Sequence, residues 1–104
     1  SYDRAFAQSK LFKPLICETN IEHAYHIYVV KVNADDAGET RDRIFNLLRE
    51  MGIGVNVHYP VIYSHPYYRR RYGDRSGLCP EAERAYTKIL SLPIFPEMSE
   101  SDVE

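Results

Sequence analysis

The chain has too few cysteines, too little basic charge and too short apolar runs for several classes of protein. Its 104 residues include only Cys17 and Cys79, which are too few and too far apart for a disulfide framework, so we expect a reducing, cytoplasmic environment. The net charge of −2 argues against a general nucleic-acid-binding protein, which is normally basic. No apolar run approaches membrane-spanning length, and the amino terminus shows no signal-peptide pattern. We therefore expect neither nucleic acid nor a membrane as a partner.

The chain also lacks the short motifs of common catalytic sites. It contains no Gly-rich phosphate loop, no nucleophile elbow and no HExxH helix. His23 and His26 are spaced like a metal-binding pair, but residues three apart in a strand point to opposite faces. His58 and His65 match no familiar zinc spacing. Lys31 has no partner group for Schiff-base chemistry and is predicted to be an edge residue with its amine in water. The residues alone indicate no metal site and no catalytic residue.

The pattern of apolar residues predicts one small α+β domain. Residues 23–32 are predicted as a central strand because apolar residues occupy both faces. Residues 53–59 form a second strand, and residues 90–95 are extended at a sheet edge because Pro93 and Pro96 cannot donate to a ladder. We expect a small, largely antiparallel sheet with helices packed on one face.

Three helical segments are predicted between the strands. Asp36 is placed to cap a helix with Glu39 three residues on, and Gly52 supplies the left-handed residue that ends it. The apolar face of this helix is predicted to consist of Ile44, Leu47, Leu48 and Met51. Pro80 opens another helix at its first position. Residues 64–78 before it are predicted to form a long loop with one helical turn at 67–72.

Both ends of the chain carry unfinished helix signals. Tyr2 and Phe6 share helical spacing near the start, in a segment predicted to end at Pro14 because proline cannot continue a helix. Near the other end, Ser99 and Asp102 have the spacing of a capping box, yet two residues follow. These signals favour a fragment of a longer protein, the alternative being a frayed natural terminus.

The most informative stretch is residues 53–69. Alternation places Gly54, Asn56 and His58 on the polar face of the strand, and a loop rich in tyrosine and histidine follows at once. Such hydrogen-bonding groups suit a sugar or phosphate ligand, the alternative being a surface loop whose aromatic side chains pack on the sheet. Residues 69–71 are three arginines and suit a phosphate or nucleic acid, unless they form a solvated face balanced by Asp74.

Five segments in order and with matching spacing carry a family resemblance. They are HAYHIYVV at 23–30, GIGVNVHY at 52–59, HPYY at 65–68, CPEAE at 79–83 and LSLPIFP at 90–96. Together they resemble the C-terminal part of the DegT/StrS sugar aminotransferases. The segments GLCPEAE at 77–83 and SLP at 91–93 are most similar to the branch that acts on UDP-4-keto-6-deoxy-N-acetylhexosamine, the UDP-4-amino-4,6-dideoxy-N-acetyl-altrosamine transaminases.

The resemblance implies a fold type I enzyme that uses pyridoxal 5'-phosphate to move an amino group, usually from glutamate, to a nucleotide-linked keto sugar. The family's S-x-H-x-x-K lysine and its phosphate-binding residues belong to an N-terminal domain and are absent from this sequence. Residues 1–104 are therefore expected to be a single C-terminal domain that closes over the substrate. This domain alone is expected to be inactive and to bind no cofactor, whereas the intact enzyme is expected to be a homodimer.

The resemblance also implies substrate-binding residues. They are His58, Tyr59, Tyr63, His65 and Arg69. Many family members have the sequence His-Tyr-x-Pro at this position, whereas here Pro60 follows Tyr59 directly. The path of this loop is therefore expected to depart from the family pattern. The competing hypothesis is an independent small α+β module that binds a ligand or single-stranded nucleic acid.

Overall fold

A three-stranded antiparallel sheet forms the centre of the molecule. The computed structural model describes residues 2–33 and 40–103. Strand β1 is Phe12–Pro14, β2 is Tyr28–Val32 and β3 is Ile89–Leu92, in the spatial order β1–β2–β3. Val30 of the central strand lies opposite Leu90 of β3. The predicted α+β class, with its antiparallel sheet, is confirmed.

Four helices and two single turns complete the described elements. They are α1 Tyr2–Phe6, α2 Arg41–Glu50, α3 Pro66–Tyr72, α4 Pro80–Tyr86 and the 3₁₀ turns Ile62–Ser64 and Glu100–Asp102. Helix α4 begins at Pro80 as predicted, because an amide at the first helical position has no intrahelical partner to lose. The predicted capping box is also present, since the Ser99 amide donates to Asp102 Oδ2 at 2.7 Å. In the described part of the chain, no helix has the length and apolarity needed to cross a bilayer.

The core lies on one face of the sheet. Tyr28 and Val30 share this face because strand side chains alternate, and both are buried. Helix α1 covers one end of it, with the rings of Tyr2 and Tyr28 4.8 Å apart. Helix α2 adds the buried Ile44 to the same cluster. Helices α1 and α2 therefore cover one face, and Ser91 of β3 belongs to the other.

Helix α2 begins and ends at residues with local reasons for doing so. The Thr40 hydroxyl accepts a hydrogen bond from the Arg43 amide at 3.2 Å, which satisfies a free donor of the first turn. Gly52 follows the last turn with φ of 82°, as predicted. The predicted cap Asp36 and its partner Glu39 lie outside the described residues.

The buried stripe of α2 differs from the predicted one. Ile44 is buried and Leu48 half-buried, but Leu47 is 43 % exposed and Met51 is 74 % exposed. Phe45 packs against the core instead. The helix is rotated about its axis so that positions 44, 45 and 48 meet the sheet, and the prediction was wrong for Leu47 and Met51.

The first predicted strand is shorter than expected. Only Tyr28–Val32 pairs, because Tyr25 has φ of 47°, which is incompatible with an extended chain. The Tyr25 amide donates to Nδ1 of His23 at 2.8 Å and so is not available to a ladder. Residues 23–27 therefore lie outside the strand, and the Tyr25 amide bonds to the His23 side chain instead of to a neighbouring strand.

The second predicted strand is reduced to one bridge. Asn56 and Ser91 exchange two backbone hydrogen bonds, of 3.0 and 2.8 Å. The next pair along this ladder would require an amide from Pro93, which has none. Burial follows the predicted alternation at Val55, which is buried, but Tyr59 is 68 % exposed.

The amino-terminal helix also ends earlier than predicted. Helix α1 stops at Phe6, and Phe12–Pro14 pairs with β2 as an edge strand. Pro14 therefore ends a strand rather than a helix, in an edge position where its missing amide is tolerated.

Candidate functional site

His58 is held against the sheet face that lies opposite the core. Its Nδ1 is 2.8 Å from Oγ of Ser91, and Ser91 is only 4 % exposed. The ring also contacts the ring of Tyr59 edge-on, with centroids 4.8 Å apart. One ring nitrogen is thus engaged by the protein, and Nε2 is the nitrogen left for a ligand.

The two residues before His58 fix the chain that carries it. Asn56 is bridged to Ser91 through its backbone, and its side-chain Oδ1 accepts from the Val57 amide at 2.8 Å. The peptide bond between His58 and Tyr59 is cis, and the half-buried His58 is followed by the exposed Tyr59. The phenol of Tyr59 therefore lies at the surface next to the anchored imidazole.

Tyr63 belongs to a small hydrogen-bond network rather than to an open surface. Its hydroxyl donates to Oε1 of Glu83 at 2.6 Å and accepts from the Cys79 amide at 3.1 Å. The same Glu83 oxygen accepts from the Gly77 amide at 2.7 Å. Desolvation, together with the neighbouring Glu83 carboxylate, raises the pKa of the Tyr63 phenol above its usual value of 10. This network joins the Ile62–Ser64 turn to helix α4.

His65 is the residue that precedes α3, and Arg69 lies four positions later, in the last turn of this short helix. The Arg69 amide donates to the His65 carbonyl at 3.0 Å, which closes the first turn of the helix. Arg69 Nη2 is 3.4 Å from Oδ2 of Asp74, and both side chains are more than half exposed. The Ser76 hydroxyl and then its amide hold the pKa of Asp74 below its usual value, with Arg69 adding to the effect. A solvated pair of this kind is weak, so the guanidinium remains available to an anion.

The structure therefore places the five predicted residues along one continuous segment, 58–69, but with different surroundings. His58 and Tyr63 are tied to other elements, whereas Tyr59, His65 and Arg69 are exposed. Sequence analysis missed their two partners, Ser91 and Glu83. A serine inside the apolar strand ILSL was the available signal for the first, while Glu83 had none beyond its place in the first turn of α4.

A second region competes as a ligand site. A cavity of about 450 Å³ lies between α1 and residues 94–103. It is lined by Tyr2, Asp3, Tyr25, Tyr28, Ile94, Phe95, Met98, Ser99, Glu100 and Val103. Tyr2 donates to the Pro93 carbonyl at 2.9 Å and Tyr28 donates to Asp3, while burial first and Asp3 second raise the pKa of Tyr28. Because these polar groups are already paired, segment 58–69 is the better candidate for a polar ligand.

The described residues do not build a pyridoxal phosphate site by themselves. Such a site needs a lysine amine in a desolvated pocket, with groups that hold a phosphate. Lys10, Lys13 and Lys31 are exposed, and Lys88 is half-buried just before β3. Lys31 lies on the central strand rather than at the predicted edge. Within residues 2–33 and 40–103, no three His, Cys, Asp or Glu side chains gather as metal ligands.

Comparison with known proteins supplies the family. The sequence profile of the DegT/DnrJ/EryC1/StrS aminotransferase family matches residues 1–104. The chain belongs to this family. It is 37 % identical over 105 residues to the spore coat polysaccharide biosynthesis protein SpsC of Bacillus subtilis, covering 99 % of this chain and 27 % of SpsC.

Solved structures of aminotransferases share the fold. Spr1654 of Streptococcus pneumoniae, assigned as a sugar aminotransferase and solved in its PLP form, superposes with a TM-score of 0.83 and 28 % identity over 98 % of this chain and 26 % of its own. Helicobacter pylori PseC, an aminotransferase involved in the biosynthesis of pseudoaminic acid, gives a TM-score of 0.83 and 25 % identity over 98 % of this chain and 27 % of its own. The chain spans about a quarter of the length of these relatives. The predicted membership of a sugar aminotransferase family is confirmed.

Proposed function

We propose that this family member is the C-terminal domain of an aminotransferase that transfers an amino group from glutamate to a nucleotide-linked keto sugar, and that it closes over the substrate. PseC and SpsC, named for pseudoaminic acid and spore coat polysaccharide biosynthesis, support a sugar substrate. Three of the four lysines of this chain, Lys10, Lys13 and Lys31, are exposed, which supports a cofactor lysine elsewhere in the polypeptide. The proposal includes the altrosamine-forming branch, a homodimer and a cytoplasmic location.

The observation that carries this proposal is the anchored imidazole of His58. Its Nδ1 contact with the buried Ser91 holds the ring in one orientation before any ligand arrives. A preorganised hydrogen-bonding group loses less entropy on binding than a mobile one. His58 and the adjacent phenol of Tyr59 are proposed to bind the sugar hydroxyls or its N-acetyl group.

The remaining three residues are proposed to serve the other parts of the substrate. Arg69, with His65 one turn before it, is proposed to bind the diphosphate, since a guanidinium forms paired hydrogen bonds to phosphate oxygens. Tyr63 donates to Glu83 and accepts from Cys79, which leaves one lone pair for a hydroxyl of the substrate. Tyr63 is thus proposed to accept a hydrogen bond rather than to donate one.

The test is turnover by the complete polypeptide with glutamate and a UDP-linked 4-keto sugar. The complete protein is expected to show the absorbance of a lysine-linked cofactor and to aminate the sugar, whereas residues 1–104 alone show neither. His58→Ala is expected to lower kcat/KM by roughly tenfold or more, corresponding to about 1.4 kcal/mol of lost transition-state stabilisation. His26→Ala is the matched control, because His26 is an exposed histidine outside segment 58–69.

Two outcomes contradict the proposal. Absence of a cofactor-linked lysine from the complete protein removes the aminotransferase assignment, and equal kinetics for His58→Ala and His26→Ala remove His58 from the site. Salt-sensitive binding of single-stranded nucleic acid by residues 1–104 alone favours the independent binding module instead.

A further inference from the structure

We propose that Ser91 is a positioning residue that sets the tautomer of His58, so that neutral His58 carries its proton on Nε2 and acts toward the ligand as a hydrogen-bond donor. The inference concerns a residue of β3 that lies 33 positions from His58 in sequence. It rests on the proposed function for the identity of the ligand. It adds which kind of ligand atom binds next to His58.

The hydroxyl proton of Ser91 has an acceptor available to it, the imidazole of His58. In the described part of the chain, the Nδ1 of His58 is the one hydrogen-bond partner of Ser91 Oγ, at 2.8 Å. If Nδ1 carried the proton and donated to Oγ, the hydroxyl hydrogen would need a second acceptor at a residue that is 4 % exposed. If Nδ1 is unprotonated, it accepts from the hydroxyl, and both groups are satisfied by one bond.

The position of Ser91 is fixed independently of this bond. Its amide and carbonyl both pair with Asn56, at 2.8 and 3.0 Å, and it lies opposite Val29 in the ladder between β2 and β3. The hydroxyl therefore projects from a backbone held on both sides. A rigid hydroxyl acts as a template for the imidazole, and the tautomer of a histidine is set by the partner of its other nitrogen.

The consequence is a requirement on the ligand. With Nδ1 occupied by Ser91 and the proton on Nε2, neutral His58 has no free lone pair toward a ligand. It cannot take a proton from the substrate while the Ser91 bond persists, so it is not the general base of the reaction. The ligand atom that meets Nε2 is an acceptor oxygen, which can be a hydroxyl oxygen of the sugar, the carbonyl of its N-acetyl group or a phosphoryl oxygen.

The tautomer can be measured directly without any ligand. In the complete protein labelled with ¹⁵N-histidine, long-range ¹H–¹⁵N correlation spectra distinguish the two neutral forms, and loss of a signal in His58→Gln assigns His58. We expect the Nε2–H form in the parent protein. We expect a mixture of both forms in Ser91→Ala, and the Nε2–H form again in Ser91→Thr, which retains the hydroxyl. The Nδ1–H form in the parent protein overturns the proposal whatever the variants do.

A pair of substitutions at His58 tests the donor role. The amide nitrogen of His58→Gln reaches the position of Nε2, whereas that of His58→Asn reaches the position of Nδ1. We expect His58→Gln to bind UDP-N-acetylglucosamine within about threefold of the parent protein and His58→Asn to bind about tenfold more weakly. Comparison with UDP then separates the sources, since a weaker effect on UDP assigns the oxygen to the sugar and an equal effect assigns it to the diphosphate. Stronger binding by His58→Asn than by His58→Gln contradicts a donor at Nε2.

Failure of this inference can be told apart from failure of the proposed function. If the complete protein aminates no sugar but His58 shows the Nε2–H form that depends on Ser91, the aminotransferase proposal fails and the positioning role stands. If the protein is active and the tautomer is unchanged in Ser91→Ala, Ser91 does not set the tautomer and the inference is wrong.

Discussion

Replacing Leu90 by alanine is expected to weaken the sheet on which the candidate site is built. Leu90 is fully buried in β3, next to Ser91 and opposite the equally buried Val30. Leu90→Ala removes three buried carbon atoms, which accounts for about 2.4 kcal/mol at roughly 0.8 kcal/mol for each carbon. The cavity left among close-packed neighbours adds to this, so a total loss of about 3–4 kcal/mol is expected.

The loss is large compared with the stability of a single domain, which is typically about 5–15 kcal/mol. Urea denaturation of the chain, followed by circular dichroism, measures it. At an m-value of about 1.5 kcal/mol/M, the midpoint should fall by about 2 M with an unchanged slope. The matched control is Leu78→Ala, because Leu78 is 62 % exposed and the same truncation there should change stability by less than about 0.5 kcal/mol. Similar midpoints for the two variants would refute the placement of Leu90 in the core.

Three further predictions concern the ends of elements. Gly52→Ala should lower the free energy of unfolding by about 1 kcal/mol, because Gly52 has φ of 82°. Gly54→Ala, in equally open space and without a positive φ, should leave the free energy of unfolding within about 0.5 kcal/mol of the parent, as measured by urea denaturation. Equal costs for the two variants would contradict this. Thr40→Ala should lower the free energy of unfolding by about 1 kcal/mol because it removes the cap of α2, whereas Thr40→Ser should retain most of that stability. Equal thermal unfolding of the two variants would contradict the capping role of Thr40. Hydrogen bonds from Ser99 hold the pKa of Asp102 below its usual value of 3.8. The stability that the Asp102 carboxylate contributes is therefore present above pH 3.8 and is lost as the pH falls through the lower pKa of the folded state. The NMR signal of the Ser99 amide should titrate with a midpoint below pH 3.8, and a midpoint above pH 3.8 would be inconsistent with this.

Features specified by neighbouring residues could be predicted from the sequence. Proline at the first position of a helix and a Ser-x-x-Asp capping box are local arrangements, and both occur where predicted, at Pro80 and Ser99. The left-handed residue after α2, Gly52, is of the same kind. Each depends on the backbone within one turn of the chain, so no knowledge of the tertiary structure is needed.

Features that depend on distant contacts could not be predicted. Residues 53–59 have strand alternation, yet they form only one bridge, and toward Gly54 the ladder cannot continue because the partner there is Pro93. The rotation of α2, which exposes Leu47 and Met51, is decided by the sheet it packs on. Sequence periodicity alone does not determine which of two adjacent stripes a short helix buries.

The candidate site shows the same division. Alternation singled out His58, and the tyrosine-rich loop after it marked Tyr59, Tyr63 and His65. Their binding role remains a prediction. The contacts that hold two of these residues join positions 33 and 20 apart in sequence, His58 with Ser91 and Tyr63 with Glu83. A pattern within one segment carries no information about such partners.

The most direct measurement of whether segment 58–69 binds the substrate is hydrogen exchange in the complete protein, with and without a UDP-linked amino sugar. We expect slower exchange of the amides in residues 58–69 when the sugar is bound, and unchanged exchange in residues 94–103, which include lining residues of the separate cavity near α1. Protection confined to residues 94–103, or no change in residues 58–69 at saturating ligand, would contradict it.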